Sequence, residues 1–218
     1  MKNKVTIAFL GTDGSGKSTI INAVTPLLES ECSCVKYEHL RPNYMPSLGV
    51  ALHKRTQEEE DERGPVTDPH SLPPSGFLGS LFRLGYYMID YTWGYYKKIY
   101  HSKDTIWIFD RYFYDFKLDQ RRARLNLPNC FLKLCSFFVP NPDLILCLGG
   151  APQKIYERKP ETSLDEVTRQ TNVLKSFCSC RKNAVWVDTT LAPEESIRLA
   201  KEAILDMLSK RFNKVTFL

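Results

Sequence analysis

Hydrophobic positions along this chain fall into two patterns, short apolar runs and longer stretches with helical spacing. The apolar runs are typical of strands, which we expect at residues 4–10, 34–40, 105–110, 143–148 and 184–188. The third and fourth runs are apolar at nearly every position, as in strands covered on both faces. Because these runs alternate with helical stretches, the pattern predicts an α/β fold with a five-stranded parallel sheet and helices on both faces.

Three stretches carry apolar residues at every third or fourth position, which predicts helices over residues 18–28, 77–100 and 194–212. In the second helix, the residues expected to face the core are Leu81, Leu84, Met88, Tyr91, Tyr95 and Ile99. In the third helix, they are Ile197, Ala200, Ile204, Met207 and Leu208. Each of these faces is expected to pack against other elements of the fold.

Residues 55–76 show neither pattern, since they are first charged and then rich in proline. This composition predicts a long surface loop, because it offers no apolar face to bury. The chain has 218 residues, of which 43% are hydrophobic and 25% charged, as is ordinary for a globular protein. We therefore expect a single domain over residues 1–218.

The charge and the length of the apolar runs limit the expected partners. The net charge is only +5. The dense cluster of basic residues at 121–124 is too short for the basic stripe of a nucleic-acid-binding protein. No apolar run approaches the roughly 18 residues of a membrane span. The first run breaks at Gly11, before the length of a signal peptide. We therefore expect neither a nucleic-acid nor a membrane partner.

The cysteine content indicates a reducing compartment. Seven cysteines are an odd number in a chain with no predicted secretion signal. Reduced thiols in a cytoplasmic protein are therefore expected. The pairs Cys32-x-Cys34 and Cys178-x-Cys180 raise the alternative of a zinc site, but their spacing is shorter than that of zinc-binding cysteine pairs.

The most specific motif is Gly-Thr-Asp-Gly-Ser-Gly-Lys-Ser-Thr at residues 11–19, which fits the phosphate-binding loop G-x-x-x-x-G-K-[ST]. The motif lies between a predicted strand and a predicted helix, as its function requires. Its glycines allow successive N–H groups to point at phosphate oxygens, and the following helix adds its positive end. Lys17 supplies a positive charge for the β- and γ-phosphates. The residues expected to bind ATP here are Thr12, Asp13, Gly14, Ser15, Gly16, Lys17, Ser18 and Thr19.

A magnesium site is predicted from two residues, Ser18 of the loop and Asp110 at the end of the third strand. Hydroxyl and carboxylate oxygens are the ligands that Mg²⁺ prefers, either directly or through water. Many strands end in aspartate, so Asp110 alone is a weak indication of a metal ligand. The indication is stronger because Arg111 and Tyr112 follow it directly.

The Asp-Arg-Tyr triplet together with the phosphate-binding loop resembles the thymidylate kinase family. Weaker likenesses extend along the chain at His39-Leu40-Arg41-Pro42, at Asn141-Pro142-Asp143-Leu144 and at residues 187–195. The resemblance implies a P-loop kinase fold with a short lid at about residues 151–170. It also implies that Thr190, in the loop on the adenine side, contributes to the ATP site.

The resemblance further implies roles for residues around the phosphates. Asp13 matches an acid that contacts the acceptor sugar, and Arg111 matches an arginine that holds the acceptor phosphate and the transferring phosphoryl group. Tyr112 and Arg41 would lie in the acceptor pocket. Because the loop has no basic residue before Gly16, the arginine that closes over the phosphates would come from the lid, as Arg158. Lys17, Arg111 and Arg158 are thus the expected catalytic residues.

The acceptor side departs from the family pattern. The long helix offers Arg83, Tyr87 and Asp90 on one face in place of the family's base-reading sequence. Arg83 and Asp90 are therefore acceptor-binding candidates, with a solvated helix pair as the alternative. Arg111 has the alternative of a structural ion pair with Asp115 or Asp143, and Arg158 that of a surface charge.

The function implied by the resemblance is Mg²⁺-dependent transfer of the γ-phosphoryl group of ATP to a nucleoside monophosphate, foremost dTMP to dTDP. Two alternatives stay open. The acceptor can be another deoxynucleotide, a nucleoside or a phosphorylated metabolite, or the chain can bind ATP without kinase turnover. Members of the resembled family are commonly dimers, which makes a homodimer compatible with this interpretation.

Overall fold

The computed structural model describes residues 4–46, 48 and 73–212. The chain divides into two compact units. The sheet unit comprises Met1–Leu40, Ser102–Tyr112 and Asn141–Leu218, and the helical unit comprises Arg41–His101 and Phe113–Pro140. The expectation of a single domain over the whole chain stays a prediction.

The sheet unit is built on five parallel strands in the order β2-β3-β1-β4-β5. The strands are β1 (Lys4–Gly11), β2 (Cys34–His39), β3 (Thr105–Asp110), β4 (Leu144–Gly149) and β5 (Ala184–Asp188). This confirms the predicted α/β fold with a five-stranded parallel sheet, and each strand end lies within one residue of its predicted position. Every residue of β3 and β4 is buried, as their continuous apolar runs indicated.

The register of the sheet determines which residues meet at its carboxyl edge. In β1 and β3, Phe9 pairs with Asp110, while His39 of β2 pairs with Asp110 from the other side. Gly11 of β1 pairs with Leu148 of β4. The loop that follows β1 therefore begins at the same edge of the sheet at which Asp110 ends β3.

α-Helices occur in both units, and those of the sheet unit flank the sheet. The α-helices whose bounds are described are α1 (Lys17–Glu31), α2 (Phe77–Gly94), α3 (Asp115–Leu118), α4 (Asn129–Ser136), α5 (Pro152–Arg158), α6 (Leu164–Ser179) and α7 (Pro193–Phe212). On one face of the sheet, alternate residues of β1 form a core with α1 and α7, made by Val5, Ile7, Phe9, Ile20, Val24, Ala200, Ile204 and Leu208. On the other face, Cys147 of β4 contacts Cys178 of α6. Helices thus cover both faces, as predicted.

In the helical unit, α2 departs from its predicted length and core face. The α-helix ends at Gly94 and continues as one π-helical turn, Tyr95–Ile99, in which the Tyr100 N–H donates to the Tyr95 carbonyl at 2.7 Å. Leu84, Tyr91 and Ile99 are buried as predicted, and Met88 and Tyr95 are half-buried, whereas Leu81 is exposed.

Polar residues replace part of the predicted apolar face of α2. Ser80 and Asp90 are fully buried, because both have hydrogen-bond partners there. The Ser80 hydroxyl donates to the Ser75 carbonyl and accepts from the Asn126 N–H, at 2.9 and 3.0 Å. Apolar spacing alone could not predict this, since the partners come from distant parts of the chain.

Other sequence predictions meet the structure only in part. The predicted surface loop lies outside the described residues except for residues 73–76, which have no regular secondary structure. Residues 151–170 form α5, a short irregular segment and the beginning of α6; a lid is not shown there and stays a prediction. All seven cysteines are free thiols, as expected. Within the described ranges, no helix has the length and apolarity needed to span a bilayer.

Candidate nucleotide-binding site

The turn between β1 and α1 has the backbone that the phosphate-binding motif requires. Gly14 and Gly16 both have a φ of 78°, in the left-handed region that side chains with a Cβ disfavour. Gly16 directly precedes α1, and its carbonyl accepts the Ile20 N–H at 3.0 Å, so the helix begins at the end of the loop. The free N–H groups of a helix N-terminus favour anions such as phosphate. The local geometry therefore suits a phosphate-bearing ligand.

Lys17 is held inside this loop. Its Nζ donates to the carbonyls of Gly11 and Thr12, each at 2.9 Å, and the residue is buried. The two carbonyls orient the ammonium group and keep a positive charge within the turn. This is the position in which a lysine can neutralise phosphate oxygens.

Two buried hydroxyl groups of the loop are chemically informative. Thr12 Oγ1 and Ser15 Oγ have no hydrogen-bond partner among the described residues. Buried hydroxyl groups are nearly always hydrogen-bonded, so such atoms point to a ligand that would satisfy them. Ser18 and Thr19, in the first turn of α1, are exposed.

Arg111 adopts a conformation that is unusual for its residue type. Its φ is 75°, and its N–H donates to the Phe9 carbonyl at 2.9 Å. A non-glycine residue in the left-handed region costs on the order of 1 kcal/mol, and such strain concentrates at functional sites. Its guanidinium Nη2 lies 2.5 Å from Asp13 Oδ1 of the loop. The structure thus brings together two residues to which the resemblance gives acceptor-side roles.

Asp143 was one of the two residues proposed to form a structural ion pair with Arg111. Asp143 Oδ2 instead accepts hydrogen bonds from the N–H and the hydroxyl of Thr6, at 2.8 and 3.0 Å. Asp143 Oδ1 accepts from Arg211 of α7. These contacts tie β1, β4 and α7 together at the amino edge of the sheet, so Asp143 has a structural role of its own.

Among the described residues, hydrogen bonds hold only one of the two carboxylate oxygens of Asp110. Asp110 Oδ2 accepts a hydrogen bond from the Tyr37 hydroxyl at 2.9 Å, and Oδ1 is buried with no hydrogen-bond partner among them. Burial, the negative charge of Asp110 and the hydrogen bond that the phenol donates to it raise the pKa of Tyr37 well above its ordinary value. The phenol therefore stays a hydrogen-bond donor. With Ser18 exposed at the start of α1, an oxygen of each predicted metal ligand is available to Mg²⁺.

The C-terminal end of α5 adjoins the phosphate loop. A Cβ placed on Gly14 would lie 2.8 Å from the Ile155 carbonyl oxygen and 3.1 Å from Lys159 Cβ. Arg158 is exposed, and its Nη1 donates to the Thr189 carbonyl at 2.8 Å. The predicted lid arginine therefore belongs to a segment that contacts both the loop and the end of β5.

Thr190 lies in the turn after β5. Its N–H and its hydroxyl both donate to Asp188 Oδ1, at 2.8 and 2.6 Å, and its hydroxyl accepts from the Ala151 N–H at 3.3 Å. Next to it, Thr189 Cβ lies 3.9 Å from the position of a Cβ on Gly16. This turn therefore approaches the beginning of α1, as the expected adenine-side loop would.

In the helical unit, Arg41 and Asp90 form an ion pair of 3.4 Å. Asp90 Oδ1 also accepts the Met45 N–H at 2.6 Å, and the Arg41 guanidinium lies 5.6 Å from the ring centroid of Tyr87. Asp90 is completely buried, so the alternative of a solvated pair with Arg83 is wrong for Asp90. Arg83 Nε instead donates to Ser75 Oγ at 2.9 Å.

The acceptor roles of Arg41, Arg83, Asp90 and Tyr112 stay predictions. Tyr112, in the sheet unit, is buried with its ring edge-to-face against Phe109, at 5.1 Å between centroids. The aromatic residues of α2 have packing partners, as the stack of Tyr87 on Phe116 at 5.1 Å illustrates.

Sequence reasoning missed two residues of this site, Tyr37 and Thr189. Tyr37 is a tyrosine on an edge strand, and only the register of β2 with β3 brings its hydroxyl to Asp110. Thr189 contributes a main-chain carbonyl, which no residue type signals. A search for tyrosines on the predicted strands could have raised the first as a candidate but not the second.

No protein-family model and no curated protein matches this chain. Among the described residues, no group of three or more His, Cys, Asp or Glu side chains is placed to hold a metal ion.

Proposed function

We propose that this chain is an ATP-dependent phosphotransferase of the nucleoside monophosphate kinase type. The observation that carries the proposal is the turn at residues 11–18, with two left-handed glycines and a buried lysine held by loop carbonyls. This turn is joined by Arg111, whose strained backbone places a guanidinium 2.5 Å from Asp13 in the same turn. A loop that only binds nucleotide has no evident need for that second cation.

The reaction proposed is transfer of the γ-phosphoryl group from ATP to a phosphate oxygen of the acceptor, which yields ADP and a nucleoside diphosphate. The acceptor oxygen is already ionised, so no strong general base is needed. The loop N–H groups and Lys17 would bind the β- and γ-phosphates, while Arg111 and Arg158 would stabilise charge on the group in transfer. Positioning and charge stabilisation are the main sources of rate in such reactions.

Ser18 and Asp110 would hold Mg²⁺, which when bound neutralises charge on the phosphate oxygens. The fit is supported by the buried Asp110 Oδ1, which has no hydrogen-bond partner among the described residues, and by the exposed hydroxyl-bearing Ser18. Asp110 keeps its orientation through the Tyr37 hydroxyl.

We name dTMP as the acceptor because the Asp-Arg-Tyr triplet and the phosphate loop resemble the thymidylate kinase family. A cytoplasmic location is part of the same proposal and is supported by the seven free thiols, which a reducing compartment maintains. The pairing of Asp13 with Arg111 supports an acceptor-side role for both, since Asp13 holds the guanidinium at the loop.

The test is an acceptor screen with ATP and Mg²⁺ in which ADP and the phosphorylated product are both quantified. We expect dTMP to give the highest rate, with dUMP lower by at most about 10- to 200-fold, the range that one methyl group can provide. Activity with only a nucleoside or a phosphorylated metabolite would support the kinase activity but would show that the acceptor is not a nucleoside monophosphate. ATP binding with no product from any acceptor would contradict the proposal.

A further inference from the structure

Tyr37 is placed to act on the predicted metal site although it belongs to the edge strand β2. Its hydroxyl donates to Asp110 Oδ2 at 2.9 Å, and the Leu40 N–H just beyond β2 donates to the Asp110 carbonyl at 2.9 Å. Strand β2 therefore contacts both the side chain and the main chain of Asp110. Both contacts lie within the sheet unit.

The hydrogen bond limits how the Asp110 carboxylate can rotate. Because the phenol engages Oδ2, rotation of the carboxylate is restrained, and Oδ1 remains buried with no hydrogen-bond partner among the described residues. Ionised carboxylate oxygens in buried positions need partners, since leaving them unsatisfied is costly. The arrangement thus presents one defined oxygen to a ligand.

The same tyrosine borders a cavity that reaches the start of α1. This cavity of about 230 Å³ is lined by residues of α1, β2 and β3, among them Ser18 and Tyr37. The hydroxyl-bearing Ser18 and the residue that anchors Asp110 therefore share one cavity. Tyr37 is 54% exposed, so packing explains its presence less well than its hydrogen bond does.

We infer that Tyr37 is a positioning residue for the divalent cation, because its hydroxyl fixes the Asp110 carboxylate so that Oδ1 is available to Mg²⁺ or to a magnesium-bound water. The inference rests on the proposed function, since it requires that Mg²⁺–ATP binds at the phosphate loop. Hydrogen-bond partners behind metal ligands typically change metal affinity by about 10- to 100-fold when they are removed.

The experiment is a Mg²⁺ titration of the binding of a fluorescent ATP analogue, compared between the wild type and Tyr37→Phe. This variant keeps the ring and removes only the hydroxyl. We expect the Mg²⁺ concentration for half-maximal binding to rise about tenfold. Tyr96→Phe is the matched control, because Tyr96 is also 54% exposed but lies in the helical unit, and its midpoint should stay at the wild-type value.

A second variant separates positioning from a general effect on the fold. In an Asp110→Asn background, adding Tyr37→Phe should leave the Mg²⁺ midpoint where Asp110→Asn alone puts it, because the oxygen to be positioned has lost its charge. An additional shift of similar size in that background would overturn the inference. A Tyr37→Phe midpoint equal to that of the wild type would overturn it while leaving the proposed function intact. A wild type that binds the analogue at no Mg²⁺ concentration would overturn both.

Discussion

Two arginine–aspartate pairs, one in each unit, have different surroundings. In the sheet unit, Arg111 and Asp13 meet at 2.5 Å, with exposed side-chain fractions of 6% and 24%. In the helical unit, Arg41 and Asp90 meet at 3.4 Å, with fractions of 11% and 0%. The first pair adjoins a strained backbone and a phosphate-binding turn, whereas the second joins a loop segment to a helix among aromatic rings.

The contacts around each pair indicate what it does. Residues 41–46 are attached to α2 by Met45 N–H to Asp90, and by Tyr86 Oη to the Pro46 carbonyl at 2.6 Å. These contacts give Asp90 a structural role, and its acceptor role stays a prediction. Arg111 holds a left-handed φ of 75° directly after β3. An ion pair alone does not identify a functional site, but an ion pair on a strained backbone beside a ligand loop supports one.

The largest effect that would sharpen this comparison is expected from Arg111→Ala. Turnover should fall about 1,000-fold, because a guanidinium is lost from the group in transfer. The free energy of unfolding should change little, because alanine faces the same backbone strain as arginine at this φ. Steady-state kinetics together with urea denaturation measure both.

Arg111→Lys is the matched control for charge without the planar guanidinium, and it should recover only part of the rate. If Arg111→Ala instead lowered stability strongly and left turnover nearly unchanged, Arg111 would resemble Arg41, and the comparison would fail.

The next effect concerns stability. Here the Arg41–Asp90 pair should matter more than the Arg111–Asp13 pair, the reverse of their expected effects on turnover. Asp90→Asn leaves Arg41 nearly buried without its counter-charge, which should cost about 3 kcal/mol of unfolding free energy. Asp13→Asn should cost less, because Asp13 is 24% exposed whereas Asp90 is fully buried, so solvent screens the charges of the Arg111–Asp13 pair more. Denaturant unfolding of both variants in the same buffer provides the measurement. Equal losses would show that burial does not separate the two pairs.

The smallest effect is expected at the end of α5. Arg158→Ala should lower single-turnover rates about tenfold, equivalent to 1.4 kcal/mol, with a smaller change in ATP affinity. Lys159→Ala is the matched neighbour, and it should change the rate less than about twofold because its partner is the exposed Glu161. Similar small effects from both substitutions would make this segment part of the solvated surface.

The sheet unit was largely predictable from sequence because its determinants are local. Five strands and the turn at residues 11–18 each depend on contiguous residues, as the left-handed Gly14 and Gly16 illustrate. The contact of Arg111 with Asp13 was not predicted, because it depends on the register of β1 with β3, which sets the loop after β1 beside Arg111. A positive φ at an arginine likewise has no signal in residue type.

The helical unit was harder to predict because long-range partners decide its buried positions. The apolar spacing of α2 correctly predicted that Leu84 and Tyr91 are buried. It could not predict that Asp90 is buried, because its partners, Arg41 and the Met45 N–H, come from a distant part of the chain. The end of the α-helix at Gly94 also depends on distant residues. A Cβ on Gly94 would lie 2.7 Å from Pro42 Cβ, so the close approach of residues 42–44 selects glycine there.

The most direct test of the kinase proposal is the formation of ADP and dTDP from ATP and dTMP by the wild type and by Lys17→Ala. Lys17 Nζ donates to the loop carbonyls of Gly11 and Thr12, which orient its charge within the turn. Its loss should lower turnover at least about 100-fold, equivalent to about 2.7 kcal/mol, while circular dichroism and the melting temperature report a folded protein. A folded Lys17→Ala protein that forms both products at nearly the wild-type rate would contradict the account.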